Sequence, residues 1–168
     1  KAPRVVISDE RDQLLDTGGG IKKALPLLGP EPFVLMNSDS FWIEGPRANL
    51  DWLFSTWDDA SMDALVMLAS TVGAVGYSGA GDFLMEKDGR LARRPERTVA
   101  PFVYPGVALI HPRLFDGAPD GPFSLNLLFD KAIEAGRLHG VRMDGIWIHV
   151  GTPEAIREAE LSFQESAA

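Results

Sequence analysis

Short apolar runs alternate along the chain with segments of helical spacing, and this alternation limits the possible folds more than any other feature. The apolar runs, which predict buried strands, occupy residues 5–8, 33–36, 64–68 and 102–110. Helical spacing predicts helices over residues 21–28, 50–57, 125–135 and 153–164. Strands that alternate with helices predict an α/β protein, with helices layered on a sheet of mixed direction.

Turn signals refine this prediction. Asp88-Gly89 and Asp144-Gly145 each separate two strand-like segments, and Asp-Gly is a strong hairpin signal. The small, glycine-rich residues 71–81 predict a loop. The length of 168 residues suits one compact core, so we expect residues 1–168 to form a single domain.

Composition excludes several classes of protein. A net charge of −8 argues against a nucleic-acid partner, which needs clustered cations, but still permits a small phosphorylated ligand. The absence of cysteine excludes disulfides, thiolate zinc sites and cysteine nucleophiles. Apolar runs such as Ala64–Ala69 are far shorter than the roughly 20 residues that span a bilayer. We therefore expect a cytoplasmic protein without a membrane partner.

A glycine run, Thr17-Gly18-Gly19-Gly20, lies between the first predicted strand and the first predicted helix. Glycines allow a backbone to approach a ligand closely, and the start of a helix offers free N–H groups to an anion. The run matches neither a Walker loop nor a dinucleotide-binding fingerprint. Two interpretations stay open from the pattern, a ligand-binding turn and an ordinary tight turn.

Asn37-Ser38-Asp39 directly follows the apolar run 33–36. Ligands of open α/β sheets gather at the carboxyl ends of strands, and a carboxylate there suits Mg²⁺ that bridges phosphates. The alternative is an aspartate that caps its own turn.

Trp147 and His149 are predicted to share one face of a strand. His149 is then a metal ligand, a hydrogen-bond donor to phosphate, or a strand histidine bonded to backbone. His111 and His139 lie in turn-like contexts, and we expect both at the surface. Arg93-Arg94 either binds phosphate or ends a solvated hairpin. Neither Gly-x-Ser-x-Gly nor His-Glu-x-x-His occurs, which disfavours a hydrolase.

Several short segments form an ordered set along the chain: Ser8-Asp9-Glu10, 16–21, 24–28, 33–40, Gly81-Asp82-Phe83, 101–106 and 144–154. Taken together, these segments resemble those of the sugar-1-phosphate nucleotidyltransferases. The likeness is closest to the bacterial branch of N-acetylmuramate α-1-phosphate uridylyltransferases and mannose-1-phosphate guanylyltransferase-like proteins. The resemblance implies a Rossmann-like mixed sheet of the nucleotide-diphospho-sugar transferase type.

The resemblance also implies a reaction, in which a sugar-1-phosphate and a nucleoside triphosphate (UTP or GTP) give a nucleotide sugar and pyrophosphate. UTP with N-acetylmuramate 1-phosphate is the favoured pair. The resemblance gives the following residues a role: Thr17, Gly18 and Gly19 for the nucleotide, Asn37, Gly106 and Asn126 for the sugar, and Asp39 for Mg²⁺ and catalysis. His149 stands where the family has a second metal-binding aspartate, so metal, phosphate and water all stay open as its partner.

The chain departs from the family at its front, because the Gly-x-Gly-Thr-Arg-Met-type loop that binds the triphosphate is missing. We therefore expect an N-terminally truncated chain, equivalent to about the C-terminal two-thirds of a catalytic domain and inactive alone. A binding module without catalysis is the alternative. A glycosyltransferase with an Asp-x-Asp metal site is less favoured, since Ser38-Asp39-Ser40 has one acid only. The sequence predicts no oligomeric state.

Overall fold

The structure is a computed structural model that describes residues 3–166, except for the side chains of residues 162, 163, 165 and 166. Its helices are α1 (Asp16–Leu28), α2 (Asn49–Thr56), α3 (Asn126–Glu134) and α4 (Pro153–Ser166). Its strands are β1 (Phe33–Met36), β2 (Ser40–Glu44), β3 (Ala64–Ser70), β4 (Phe83–Met85), β5 (Leu91–Arg93), β6 (Phe102–Val103), β7 (Val107–Ile110), β8 (Leu138–Arg142) and β9 (Gly145–His149). Within residues 3–166, no helix has the length and apolar character needed to cross a membrane.

Strand β3 lies at the centre of the main sheet. It pairs with parallel β8, with antiparallel β7 over its first residues and with antiparallel β6 at its end. Strand β1 pairs with β7, and the β4–β5 hairpin continues the sheet beyond β6. Residues 64–69 are all buried, as predicted for this run.

Helices cover the main sheet on both faces. Alternate residues of β3 point to opposite sides, so Val66 and Leu68 pack with apolar residues of α1 and α3, whereas Leu65 and Met67 pack with Leu53 of α2. The predicted mixed α/β sheet with flanking helices is therefore confirmed. That residues 1–168 form a single domain stays a prediction.

Two strand predictions are wrong. Residues 5–8 form no strand, and Val5 and Ile7 are each 82% exposed. An apolar run needs a neighbouring strand to supply its hydrogen bonds, and no described strand pairs with this one. The region 141–149 is not a hairpin, because β8 pairs with β3 whereas β9 pairs with β2 in a separate two-stranded sheet.

A third difference from the prediction concerns residues 102–110. This segment was predicted as one strand but forms two, β6 and β7, which Tyr104-Pro105-Gly106 separates. Proline has no N–H for the ladder, and Gly106 has a φ of +80°, which favours glycine. The other predicted helices from residue 50 onward, the loop 71–81 and the Asp88-Gly89 hairpin are confirmed.

Candidate functional site

A cavity of about 220 Å³ lies where β1, β9 and the turn between β6 and β7 meet. We call it the Asp39 pocket. Its lining residues are Asn37, Asp39, Ser40, Tyr77, Asp82, Val103, Tyr104, Pro105, Gly106, Trp147 and His149. The structure thus brings four of the predicted site residues, Asn37, Asp39, Gly106 and His149, to one place.

Pairing between β2 and β9 brings Asp39 and His149 to the same pocket. Ser40, the first residue of β2, pairs with His149, and the Val150 N–H donates to the Asp39 carbonyl oxygen at 2.8 Å. Gly151 lies between the two side chains. A Cβ built on Gly151 would lie 2.7 Å from His149 Cε1 and 3.2 Å from Asp39 Oδ2. Glycine at position 151 therefore lets the backbone approach both groups.

The turn between β6 and β7 forms the opposite wall. Asn37 N–H donates to the Gly106 carbonyl oxygen at 2.9 Å, and Ser40 Oγ donates to the Pro105 carbonyl oxygen at 2.7 Å. A Cβ on Gly106 would lie 2.6 Å from Asn37 Cγ. Position 106 therefore requires glycine for two reasons, the left-handed backbone conformation and the close contact with Asn37.

A second cavity, of about 330 Å³, adjoins the first. We call it the Thr17 pocket, and it shares Asn37 and Tyr104 with the Asp39 pocket. Its lining residues are Asp16, Thr17, Ile21, Leu35, Asn37, Tyr104, Ser124, Leu125, Asn126 and Phe129. Thr17, predicted to bind nucleotide, and Asn126, predicted to bind sugar, therefore lie beside the same cavity.

The glycine run is not a turn, because Gly18, Gly19 and Gly20 lie in the first turns of α1. The N–H groups of Gly18 and Gly19 both donate to the Phe123 carbonyl oxygen, at 2.9 and 3.2 Å. The helix terminus is thus satisfied within the chain, so it does not offer these two N–H groups to an anion. Nucleotide binding by Gly18 and Gly19 stays a prediction.

Sequence reasoning gave no role to Tyr77, Asp82, Tyr104 or Trp147. Asp82 Oδ2 accepts from the Tyr104 N–H at 2.8 Å, which fixes the turn that carries Gly106. The Tyr104 hydroxyl and the Trp147 indole N–H are buried without a hydrogen-bond partner in the described part of the chain. Asp82 and Tyr104 occur within the segments that carried the resemblance, but nothing in their spacing distinguished them.

Burial raises the pKa of Tyr104 well above its ordinary value. The phenol therefore stays protonated at neutral pH.

Arg93 and Arg94, for which phosphate binding and a solvated hairpin end were both left open, line neither pocket. Arg93 donates to the Asp130 carboxylate at 2.6 Å and to Asn126 Oδ1 at 2.9 Å. Arg94 donates to the carbonyl oxygens of Gly81 and Thr98. Across residues 3–166, no lysine or arginine lines the Asp39 pocket or the Thr17 pocket. Phosphate binding by this pair would need these hydrogen bonds to be exchanged.

The donor set of the Asp39 pocket is compatible with a magnesium ion. Mg²⁺ binds proteins through one or two carboxylates and completes its octahedron with water and substrate phosphates. Asp39 offers one exposed carboxylate, and no group of three histidine or acidic side chains that could hold a metal occurs among the described residues. His149 offers nitrogen, which Mg²⁺ does not prefer. The residues therefore fit a metal shared with substrate, with Asp39 as the protein ligand.

Comparison with known proteins reveals curated relatives that include two uridylyltransferases. The chain is 45% identical over 165 residues to N-acetylmuramate α-1-phosphate uridylyltransferase of Caulobacter vibrioides, covering 98% of this chain and 68% of the relative. It is 28% identical over 159 residues to the enzyme of the same name from Neisseria meningitidis serogroup B, covering 87% of this chain and 61% of that relative.

A solved structure supports the fold. UDP-glucose pyrophosphorylase in complex with UDP-glucose is similar at a TM-score of 0.69, with 15% identity, over 92% of this chain and 64% of that one. No family profile matches the chain.

Proposed function

Since the chain belongs to the sugar-1-phosphate nucleotidyltransferase family, we propose that it serves to join a nucleoside triphosphate to a sugar-1-phosphate, with release of pyrophosphate. The name of the Caulobacter relative favours UTP and N-acetylmuramate 1-phosphate as the pair, and GTP is the other nucleotide that the sequence resemblance implies. The cytoplasm is the compartment that we expect for this reaction.

The observation that carries the proposal is the meeting of Asn37, Asp39, Gly106 and His149 around one cavity, next to a second cavity lined by Thr17 and Asn126. These residues come from distant parts of the chain, yet the sequence resemblance alone implies for each a role toward nucleotide, sugar, phosphate or metal. The two cavities share Asn37 and Tyr104. A ligand with a sugar and a nucleotide joined by phosphates needs such adjoining spaces.

The chemistry requires positioning and charge neutralisation rather than a protein nucleophile. An oxygen of the sugar-1-phosphate attacks the α-phosphorus of the triphosphate, and pyrophosphate leaves. Bound Mg²⁺ supplies neutralisation of phosphate charge. Asp39 holds the ion, while Asn37 and the Gly106 turn orient the sugar. Asp82 acts as a positioning residue, because its carboxylate holds the Tyr104 N–H and thereby the turn.

We assign His149 to phosphate or water rather than to the ion, since an imidazole N–H is a donor to phosphate oxygen and Mg²⁺ prefers oxygen ligands. Its position beside Gly151 places the imidazole next to Asp39. The metal role that the resemblance implies for His149 is the alternative.

One observation favours a second candidate, a binding module without catalysis. Pyrophosphate formation requires cations around the triphosphate, and no described lysine or arginine lines either pocket. We therefore expect residues 1–168 to bind a nucleotide sugar but to release no pyrophosphate by themselves.

Thermal unfolding tests the proposal on the chain as it exists. We expect UDP-N-acetylmuramate with Mg²⁺ to raise the Tm, because a ligand that binds only the folded state stabilises it. Nicotinamide adenine dinucleotide, which also carries a diphosphate, is the control and should leave the Tm unchanged. A folded chain whose Tm does not respond to the UDP-sugar contradicts both candidates. In a pyrophosphate assay with UTP and the sugar-1-phosphate, we expect no release by residues 1–168, and release above the rate without protein would favour the enzyme over the binding module.

A further inference from the structure

A third cavity, of about 350 Å³, shares no lining residue with the Asp39 pocket or the Thr17 pocket. It is lined by Arg47, Trp52, Arg142, Met143, Asp144 and Gly145, and we call it the Arg47–Arg142 cavity. We propose that this cavity is a separate binding site for a phosphate-bearing anion. The proposal does not depend on the function assigned to the other two pockets.

Two guanidinium groups at this cavity lack a counter-charge. Five described arginines are ion-paired, as in the contacts of Arg93 with Asp130 and of Arg113 with Asp59 and Asp63. The exposed side chains of Arg47 and Arg142 make no ion pair or hydrogen bond with any group that the structure describes. Two positive charges that line one cavity repel each other, and an anion between them would remove that repulsion.

The Arg47 side chain is held in place by the Trp52 ring. Its guanidinium lies over the Trp52 ring, 3.9 Å from the centroid. Stacking engages the face of the planar group and leaves its N–H edge free to donate. A guanidinium edge matches two oxygens of a phosphate, which favours Arg over Lys in such a site.

Buried polar contacts of Asn49 and Asp144 join the two walls of the Arg47–Arg142 cavity. Asn49 is 1% exposed, its Nδ2 donates to the Asp144 carbonyl oxygen at 2.7 Å, and its Oδ1 accepts from the Asp144 N–H at 2.7 Å. Asp144 Oδ2 also accepts from the Arg47 N–H at 3.1 Å. The segment of Arg47 is thereby fixed to the segment of Arg142. The one carboxylate of the cavity is bonded to backbone rather than to either guanidinium.

Inorganic phosphate is the probe, titrated into the ¹⁵N-labelled chain at constant ionic strength. We expect saturable shifts of the Trp52 indole signal and of the amide signals of residues 47–52 and 142–145. The double variant Arg47→Ala/Arg142→Ala should bind at least about tenfold more weakly, since each charge-assisted contact contributes on that order. Arg47→Lys/Arg142→Lys keeps the charge but loses the planar edge, and should also weaken binding.

A matched control keeps the outcome decisive. Arg4→Ala/Arg157→Ala removes the same charge from exposed positions outside the cavity and should keep the affinity of the parent chain. Shifts that do not saturate, or that spare the cavity, would overturn the proposal. So would equal weakening in the Arg4/Arg157 control or equal affinity for acetate. Saturable shifts confined to the amide signals of residues 37–40 would place the phosphate in the Asp39 pocket instead.

Discussion

Gly151 is the residue on which the approach of Asp39 to His149 depends. A Cβ at this position would meet the imidazole at 2.7 and 2.8 Å and the carboxylate at 3.2 Å. All three contacts are with ends of side chains, which can move, rather than with backbone. We therefore predict that Gly151→Ala displaces the imidazole, weakens binding of a UDP-sugar about tenfold and changes the Tm by only a few degrees.

Calorimetric titration with UDP-N-acetylmuramate measures this effect. Gly73→Ala is a matched control, because a Cβ there meets nothing within 4 Å. Unchanged affinity in Gly151→Ala would show that the imidazole position does not matter for the ligand.

Sequence reasoning succeeded best with polar residues at or just beyond the ends of strands. Asn37 and Asp39 follow β1, His149 ends β9, and Gly106 stands at a break in strand pairing; the structure gathers all four at one cavity. Their role in binding stays a prediction. Asp82 escaped notice because its contact is with the Tyr104 N–H, 22 residues away, and no local pattern reveals such a contact.

At the scale of elements, the start of α1 depends on close packing with the segment around Phe123. A Cβ on Gly18 would lie 2.3 Å from Phe123 Cε2 and 2.8 Å from the Phe123 carbonyl oxygen. Backbone cannot yield as a side chain can, so we predict that Gly18→Ala lowers the free energy of unfolding by about 1–3 kcal/mol. Urea denaturation measures the change.

Gly20→Ala is the comparison within the same helix. Its Cβ would meet only the Glu10 side chain, and alanine has the better helix propensity, so we expect stability within about 1 kcal/mol of the parent chain. Equal destabilisation by the two variants would mean that packing against Phe123 is not the reason for glycine at position 18.

The elements also show where local patterns mislead. Consecutive glycines predicted a turn, yet packing against Phe123 makes them the start of α1. Asp144-Gly145 has a hairpin signal, and Gly145 does turn the chain with a φ of +94°. The strands on either side, however, pair with β3 and β2. Partner choice is set by tertiary packing, which a two-residue turn signal does not contain.

At the scale of the whole molecule, protonation of His139 makes the free energy of unfolding depend on pH. The expectation that His139 lies at the surface is wrong, because the residue lies in β8 and is only 8% exposed. Burial lowers the pKa of His139 below its ordinary value of 6.5. Well above pH 6.5 the His139 imidazole is neutral in both the folded and the unfolded chain. As the pH falls below 6.5, the imidazole is protonated in the unfolded chain before it is protonated in the folded chain, so the free energy of unfolding should decrease.

We predict that urea denaturation at pH 7.5 and at pH 5.5 shows lower stability at the acidic value. His139→Gln should reduce this difference. An identical pH dependence in His139→Gln and the parent chain would contradict the assignment.

The central claim is that Asp39 belongs to a nucleotide-sugar site that uses a divalent ion, and one titration tests it most directly. UDP-N-acetylmuramate is titrated calorimetrically, with Mg²⁺, into the parent chain, Asp39→Asn and Asp12→Asn, which removes one exposed carboxylate outside both pockets. We predict binding by the parent chain and by Asp12→Asn, and at least about tenfold weaker binding by Asp39→Asn. Equal affinity in all three chains, or no binding by a folded parent chain, would contradict the account.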